Sequence, residues 1–267
     1  MNTQTPFNPD PRLSYIANCE LSDCSHSLAE HVAATPMAPA DEQPAPVAQG
    51  AVVASSLLAF TEGTSAQNRQ DVMDSFLFAT LVANKAFNPE TQSPLWYGKF
   101  NEVLSRLGWL SSQWRYARYQ AQGQRLSMDQ VGLEIIASAL AAAALPGPAS
   151  VAMLKVATDA VQALRAKDEP LRLFERQSRT HQGGHFRMAS CSESGDGLVN
   201  VVMGAVSFKA NTEVRDVLFW EWGSADVETY RGEDSLVLNS RLYAQHRELV
   251  QEKLAAGSRQ AIAEFDI

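Results

Sequence analysis

The chain has 267 residues, 45% of them hydrophobic and 19% charged, with a formal net charge of −8. That is apolar material enough for one large domain or two small ones, and it excludes a chain disordered throughout. The acidic balance excludes a general nucleic-acid binder, which needs a basic footprint, so no nucleic-acid partner is expected.

The first twelve residues are polar and read as a loose tail. Residues 13–33 carry Leu13, Ile16, Leu21, Leu28 and Val32 at irregular spacing and read as a short helix. No basic stretch leads into an apolar one here, so no cleavable signal peptide is expected. The chain is therefore expected in the cytoplasm of the producing cell, with any export independent of such a signal. Residues 35–50 hold four prolines and read as a mobile linker. Tail and linker together make a first segment, 1–50. Residues 51–267 then form a single α+β domain.

Within that domain, residues 51–60 are apolar up to the Gly63-Thr64-Ser65 break. Residues 70–86 form a helix with a broad stripe of Val72, Met73, Phe76, Leu77, Leu81 and Val82. Asn88-Pro89 ends it. Residues 95–119 read as a second long helix or a kinked pair, with Phe100, Val103, Leu104 and Leu107 in helical period. Ser127-Met128-Asp129-Gln130 is a capping box opening an Ala-rich helix. Pro146-Gly147-Pro148 stops that helix, and Ser150 is positioned to cap a second one. Residues 135–154 contain no charge and approach the length of a membrane span. They are mostly alanine and are interrupted by Pro-Gly-Pro, which favours a soluble helix pair.

Past Pro170 the period changes from helical to alternating. Strands are predicted at 185–192, 198–208, 214–222, 225–231 and 235–238, with turns at Ser194–Gly197 and Lys209–Thr212. Short connections imply an antiparallel meander of four or five strands. A closing helix is expected from Asn239 to about Glu264. The predicted architecture is a helical N-terminal two-thirds, including the Ala-rich pair, packed on one face of this meander.

Several residues carry candidate chemistry. Cys191 falls in the first predicted strand, on one face with Ala189 and Arg187. The next strand offers Gly204 and Ala205. Small residues facing the Ala-rich pair, with Ala141 and Ala144 among its alanines, would leave a narrow apolar channel suited to an alkyl chain. The plainer alternative is that Cys191 is a small buried hydrophobe. His185 lies six residues from Cys191 on the same strand, roughly 20 Å away at about 3.3 Å per residue, too far for a nucleophile–base pair. A catalytic dyad would need His181 or His246 brought in by the fold.

Cys19, Cys24, His26 and His31 offer zinc-type donors, but their spacing is not that of a finger, so no metal site is expected. Three cysteines cannot build a disulfide framework. Trp96, Tyr97, Trp109, Trp114, Tyr116 and Tyr119 interleave with Lys99, Arg106, Arg115, Arg118 and Arg125. That pattern suits either a membrane interface or a half-buried helix whose Arg stems lie over rings. The chain has no G-x-S-x-G elbow, phosphate loop, dinucleotide fingerprint or H-E-x-x-H motif.

The segments QDVMDSFLFATLVANKAF and WYGKFNEVLSRLGWLSSQW, the Ala-rich pair, the strands FRMASCSES, LVNVVMGAVSF and DVLFWEW, and the closing YAQHRELVQEKL together resemble one family. It is that of the Erwinia-virulence-factor-like proteins of insect- and plant-associated Gram-negative bacteria. The resemblance covers about residues 70–267. It implies an α+β fold and a part in persistence or toxicity in an insect gut. It also implies a fatty acyl group on a cysteine, which by strand position is Cys191, and assigns no catalytic residue.

The expected function is thus a virulence- or toxin-like protein that holds a fatty acyl chain, thioester-linked at Cys191, and acts at a host membrane. Apart from that covalent lipid no cofactor is expected. Two alternatives stay open: a pore-forming protein inserting the 133–164 hairpin, and a Cys-dependent acyl hydrolase or transferase.

Overall fold

In the computed structural model the described residues are 10–23, 47–112, 114–119, 126–143, 145–212, 214–222, 227–258 and 261–267. In chain order the elements begin with α1 (Pro11–Asn18), β1 (Gln49–Val53), β2 (Ser56–Phe60), α2 (Ala66–Ala86) and α3 (Ser93–Leu107). Next come β3 (Trp109–Ser111), β4 (Arg115–Tyr119), β5 (Leu126–Ser127), α4 (Met128–Ala142), α5 (Gly147–Arg165) and α6 (Asp168–Ser178). The chain then runs through β6 (Gly183–Glu193), β7 (Val199–Ala210), β8 (Glu221–Trp222) and β9 (Val227–Leu238). It closes with α7 (Ser240–Ala244), α8 (Arg247–Ser258) and β10 (Ile262–Asp266).

The fold is α+β, built on an eight-stranded mixed sheet among the described residues. Its order is β10-β1-β2-β6-β7-β9-β3, with β4 also pairing β9. The predicted antiparallel meander is its centre, β6-β7-β9, but the sheet is larger and not purely antiparallel. β2 runs parallel to β6, in register Leu58↔Ala189 and Phe60↔Cys191. Parallel neighbours need a crossover, and residues 61–182, with α2 to α6, supply it.

Helices cover both sheet faces, not the single face predicted. Along β6, Ala189 and Cys191 point to the face packed by α2 and α3, joined by Ile16 of α1, Tyr243 of α7, and Val250 and Leu254 of α8. Phe186 and Met188 point to the opposite face, under α4, α5 and α6. The period-two alternation of a strand produces this division, and a sheet apolar on both sides must be covered on both.

Local signals explain most elements. Gln130 Oε1 accepts from the Ser127 amide at 3.1 Å at the start of α4. Ser65 Oγ accepts from the Asn68 amide and caps α2. The 95–119 helix ends at Leu107, because Gly108 takes φ +104 and its N–H returns to the carbonyls of Leu104 and Ser105. From Trp109 the chain is strand, not helix. α5 starts at Gly147 with Pro146 as its cap, so Ser150 lies inside the first turn. Residues 214–220 form no strand: the amides of Val217 and Leu218 donate to the Glu175 carboxylate at 2.5 and 3.1 Å instead. The two short strands around Gly232 are one, β9. The closing helix is α7 and α8, and the chain then returns as β10 to the sheet edge.

Of the helix read over 13–33, residues 13–18 belong to α1, which starts two residues earlier at Pro11 and whose Ile16 is fully buried. Lys253 Nζ donates to the carbonyls of Ala17 and Cys19, both at 2.6 Å. The prolines of the linker before Val47 fall outside the described residues.

Two glycines set the distance between α4 and the sheet. A Cβ on Gly132 of α4 would lie 2.3 Å from Met188 Sδ, and one on Gly204 of β7 would lie 3.1 Å from Ile135 and 3.2 Å from the Gly132 carbonyl. The Ala-rich helix is therefore seated directly on the strands. Gly204→Val is expected to lower stability by about 1–3 kcal/mol through overpacking. Urea unfolding reads this, and an unchanged midpoint would contradict the close seating.

Candidate functional site

The sheet itself separates the two halves of the predicted alkyl channel. Cys191, Ala189 and Ala205 lie on the face of α2 and α3. Gly204 faces α4, where Ile135 and the Gly132 backbone fill the space beside it. Ala141 is exposed, and Ala144 lies outside the described residues. The residues named for the channel thus do not share one wall. The physical reason is that neighbouring strand residues, here Gly204 and Ala205, point to opposite sides.

Cys191 is 0% exposed and sits in register between Phe60 and Val201. Burial alone pushes its thiol far up, the reverse of what an activated nucleophile requires. Among the described residues, pockets of about 600, 390, 180 and 10 Å³ open elsewhere, and Cys191 lines none of these.

The same face of β6 carries a feature of another kind, two residues apart. Arg187 is 0% exposed, in the middle of the sheet. Its Nε donates to Ser56 Oγ at 2.8 Å, and Nη2 donates to Ser55 Oγ at 2.9 Å and Thr80 Oγ1 at 3.0 Å. The guanidinium lies over the rings of Trp96 and Phe100, both at 4.7 Å. Among the described residues no carboxylate pairs with it, and Nη1 has no hydrogen-bond partner. Burial lowers its pKa to about 10.

His185 is 3% exposed, wedged against Trp96 at 4.5 Å and stacked on Tyr97 at 4.8 Å. Neither ring nitrogen has a hydrogen-bond partner among the described residues. Burial first, then the Arg187 charge, holds its pKa well below the usual histidine range. Tyr97 in turn tilts against Tyr116 at 5.1 Å, and Tyr116 shares a 2.7 Å hydrogen bond with Ser93. An aromatic layer from α3 and β4 thus lids two basic side chains of β6.

Sequence alternation placed Arg187 on the Cys191 face, and the 3.6-residue period placed Phe100 on the apolar face of α3; in the sequence Trp96 stands only in the aromatic-and-basic pattern. That these two faces meet has no sequence signal.

The other candidates are dispersed. His181 is exposed, and its amide and that of Gln182 donate to the Glu90 carboxylate at 3.2 and 2.7 Å. Cys24, His26 and His31 lie outside the described residues, and Cys19 is half-buried beside the 600 Å³ pocket. Among the described residues no group of three His, Cys, Asp or Glu is placed to hold a metal.

The aromatic-and-basic stretch divides. Lys99 and Arg106 lie over the Tyr15 ring at 5.2 Å each, as the half-buried reading expected. Trp114, Tyr116 and Tyr230 stack in a ladder instead, with centroids 6.2 and 5.8 Å apart. Gly232 makes room for it, since a Cβ there would lie 2.9 Å from the Trp114 ring. Arg125 is outside the described residues.

No family model matches the chain, and no curated protein matches it. Solved structures that are remotely similar include two toxin- or virulence-named proteins. A delta-endotoxin is 13% identical over 80% of this chain and 91% of its own, with a TM-score of 0.42. The Evf virulence factor is 11% identical over 76% of each chain, with a TM-score of 0.28.

Proposed function

We propose that the chain is a toxin- or virulence-like protein that acts at membranes through its central strands. The observation that supports this is the composition and cover of β7. It runs for 12 residues, Val199–Ala210, with Lys209 its one charged side chain. At about 3.3 Å per residue it extends roughly 40 Å, against about 30 Å for a hydrocarbon core. Its neighbour β6 is 11 residues long. Both are shielded from water by two layers of amphipathic helices. Lifting one layer would present a long strand pair, its β7 half apolar and its β6 half carrying His185 and Arg187.

The helix pair offers less. Glu134, Lys155 and Asp159 punctuate 133–164, and among the described residues no helix is long and apolar enough to cross a membrane.

Dye release from liposomes of phosphatidylcholine and phosphatidylglycerol tests the proposal. Release is expected from the whole protein, unchanged in Ala141→Asp. Loss of release in that variant would transfer the inserting role to the helix pair. No release at any pH between 5 and 8 would sink membrane action.

A fatty acyl thioester at Cys191 is a second reading, favoured by the apolar cluster that encloses the thiol. It requires the chain to displace core side chains. Intact mass before and after neutral hydroxylamine, on protein from its own producing cells, decides it. An unchanged mass removes the acyl group from the proposal.

A further inference from the structure

The α3–β6 interface buries two basic side chains without an acid among the described residues. The groups facing His185 are Arg187 on its own strand, Trp96 and Tyr97 from α3, and, behind Tyr97, Tyr116 of β4. Ser207 of β7 is its register partner. Thr80 of α2 is held by Arg187. The two phenols are themselves pushed up by burial and stay neutral at any physiological pH. A proton taken up by His185 would thus meet a guanidinium, aromatic rings and hydroxyls, with no carboxylate among these groups to balance it.

We propose that His185 is an acid sensor: its protonation drives the α3 aromatic layer off β6 and uncovers the β6–β7 strand pair. The consequence for membranes rests on the function proposed above; the opening itself does not. The closed form holds His185 neutral, so the open form binds the proton more tightly. The closed form is fully favoured above the ordinary histidine value of about 6.5. Each pH unit below that shifts the ratio about tenfold toward the open form, until the closed form takes up the proton as well.

His246 is also buried, with both nitrogens unpartnered among the described residues. It lies between α7 and α8 and feels Asp10 and Arg12 at the start of α1, so a variant there separates a local sensor from general acid lability.

The test follows near-ultraviolet circular dichroism and dye binding by the full chain from pH 8 to pH 4. The wild-type protein is expected to lose its aromatic signal and bind dye between about pH 6 and 5, while keeping its helical signal. His185→Phe should move that midpoint down by about 0.5–1 pH unit, while His246→Phe and the exposed His181→Phe should not reproduce the shift. Coincident midpoints for wild type and His185→Phe would overturn the proposal.

Imidazole NMR of the wild-type chain gives a second measurement that needs no variant. A His185 ring titrating near 6.5 in the closed protein would overturn the proposal as well. Liposome release separates the two proposals. Acid opening that follows His185 with no release at any pH removes the membrane reading and leaves the sensor. Release with one pH profile in wild type and His185→Phe removes the sensor and leaves the membrane reading.

Discussion

Arg247→Ala is expected to cost about 3 kcal/mol of folding stability. Asp71 of α2 is 0% exposed. Arg247 of α8 grips both its oxygens, through Nε at 2.8 Å and Nη2 at 2.7 Å. Gln67 donates to the same carboxylate at 2.8 Å. Removing the arginine leaves a buried carboxylate with one neutral donor, and that uncompensated charge dominates the cost. Arg247 is 27% exposed, so water replaces part of what is lost and the low end of the usual range of about 3–5 kcal/mol applies.

In a chain of this size the melting temperature should fall by roughly 6–12 °C. Asp71→Asn/Arg247→Met should lose much less than Arg247→Ala, because no charge is stranded. Equal melting temperatures for Arg247→Ala and wild type would show that α8 is not held to α2 by this pair. The contact matters beyond stability, since α8 and α2 belong to the layer that shields the Cys191 face of β6.

The second prediction has the opposite sign. Arg187→Met is expected to raise stability by about 1–3 kcal/mol, because it exchanges an unpaired buried cation for an apolar chain of similar reach. Three hydroxyls lose a donor. Thr80 keeps its own bond to the Phe76 carbonyl at 2.7 Å, so part of the loss is already covered. The lowered guanidinium pKa of about 10 has the same origin: the fold disfavours the charged form. Urea unfolding of the full chain measures the change. A clear fall in the midpoint would show that the Ser55, Ser56 and Thr80 contacts outweigh the desolvation they offset. A gain would mark the α3–β6 interface as held below its attainable stability, as a layer meant to lift should be.

The elements were legible where one periodicity runs long enough. α2 announces itself through six apolar positions in helical spacing, α4 through its capping box, β6 through alternation and β7 through a long β-rich run. Three kinds of element stayed hidden. The β1–β2 hairpin turns at Ala54, a non-glycine residue at φ 49, so no turn signal marks it. The strands β3 and β4 lie inside the stretch 95–119 read as helical, whose apolar period continues to Leu107, and Gly108 alone marks the change. β10 is five residues long and directly follows α8, where a helical reading absorbs it.

At the site, the faces were legible and their partners were not. Alternation alone put Arg187, Ala189 and Cys191 on one side of a strand. It also put Gly204 and Ala205 on opposite sides of theirs, which already set against each other two residues assigned to one channel. What no local pattern carries is which helix covers which face. α4 and α5 cross one side of the sheet and α2 and α3 the other, on a sheet whose β2–β6 pairing joins residues more than a hundred positions apart. Sequence by itself determined the long helices α2, α4 and α5, the central strands and the division of their side chains into two faces; α6, which begins two residues before Pro170, it did not. Only the tertiary structure decided that a buried arginine and a buried histidine would meet under an aromatic lid, because periodicity is local and the contact is not.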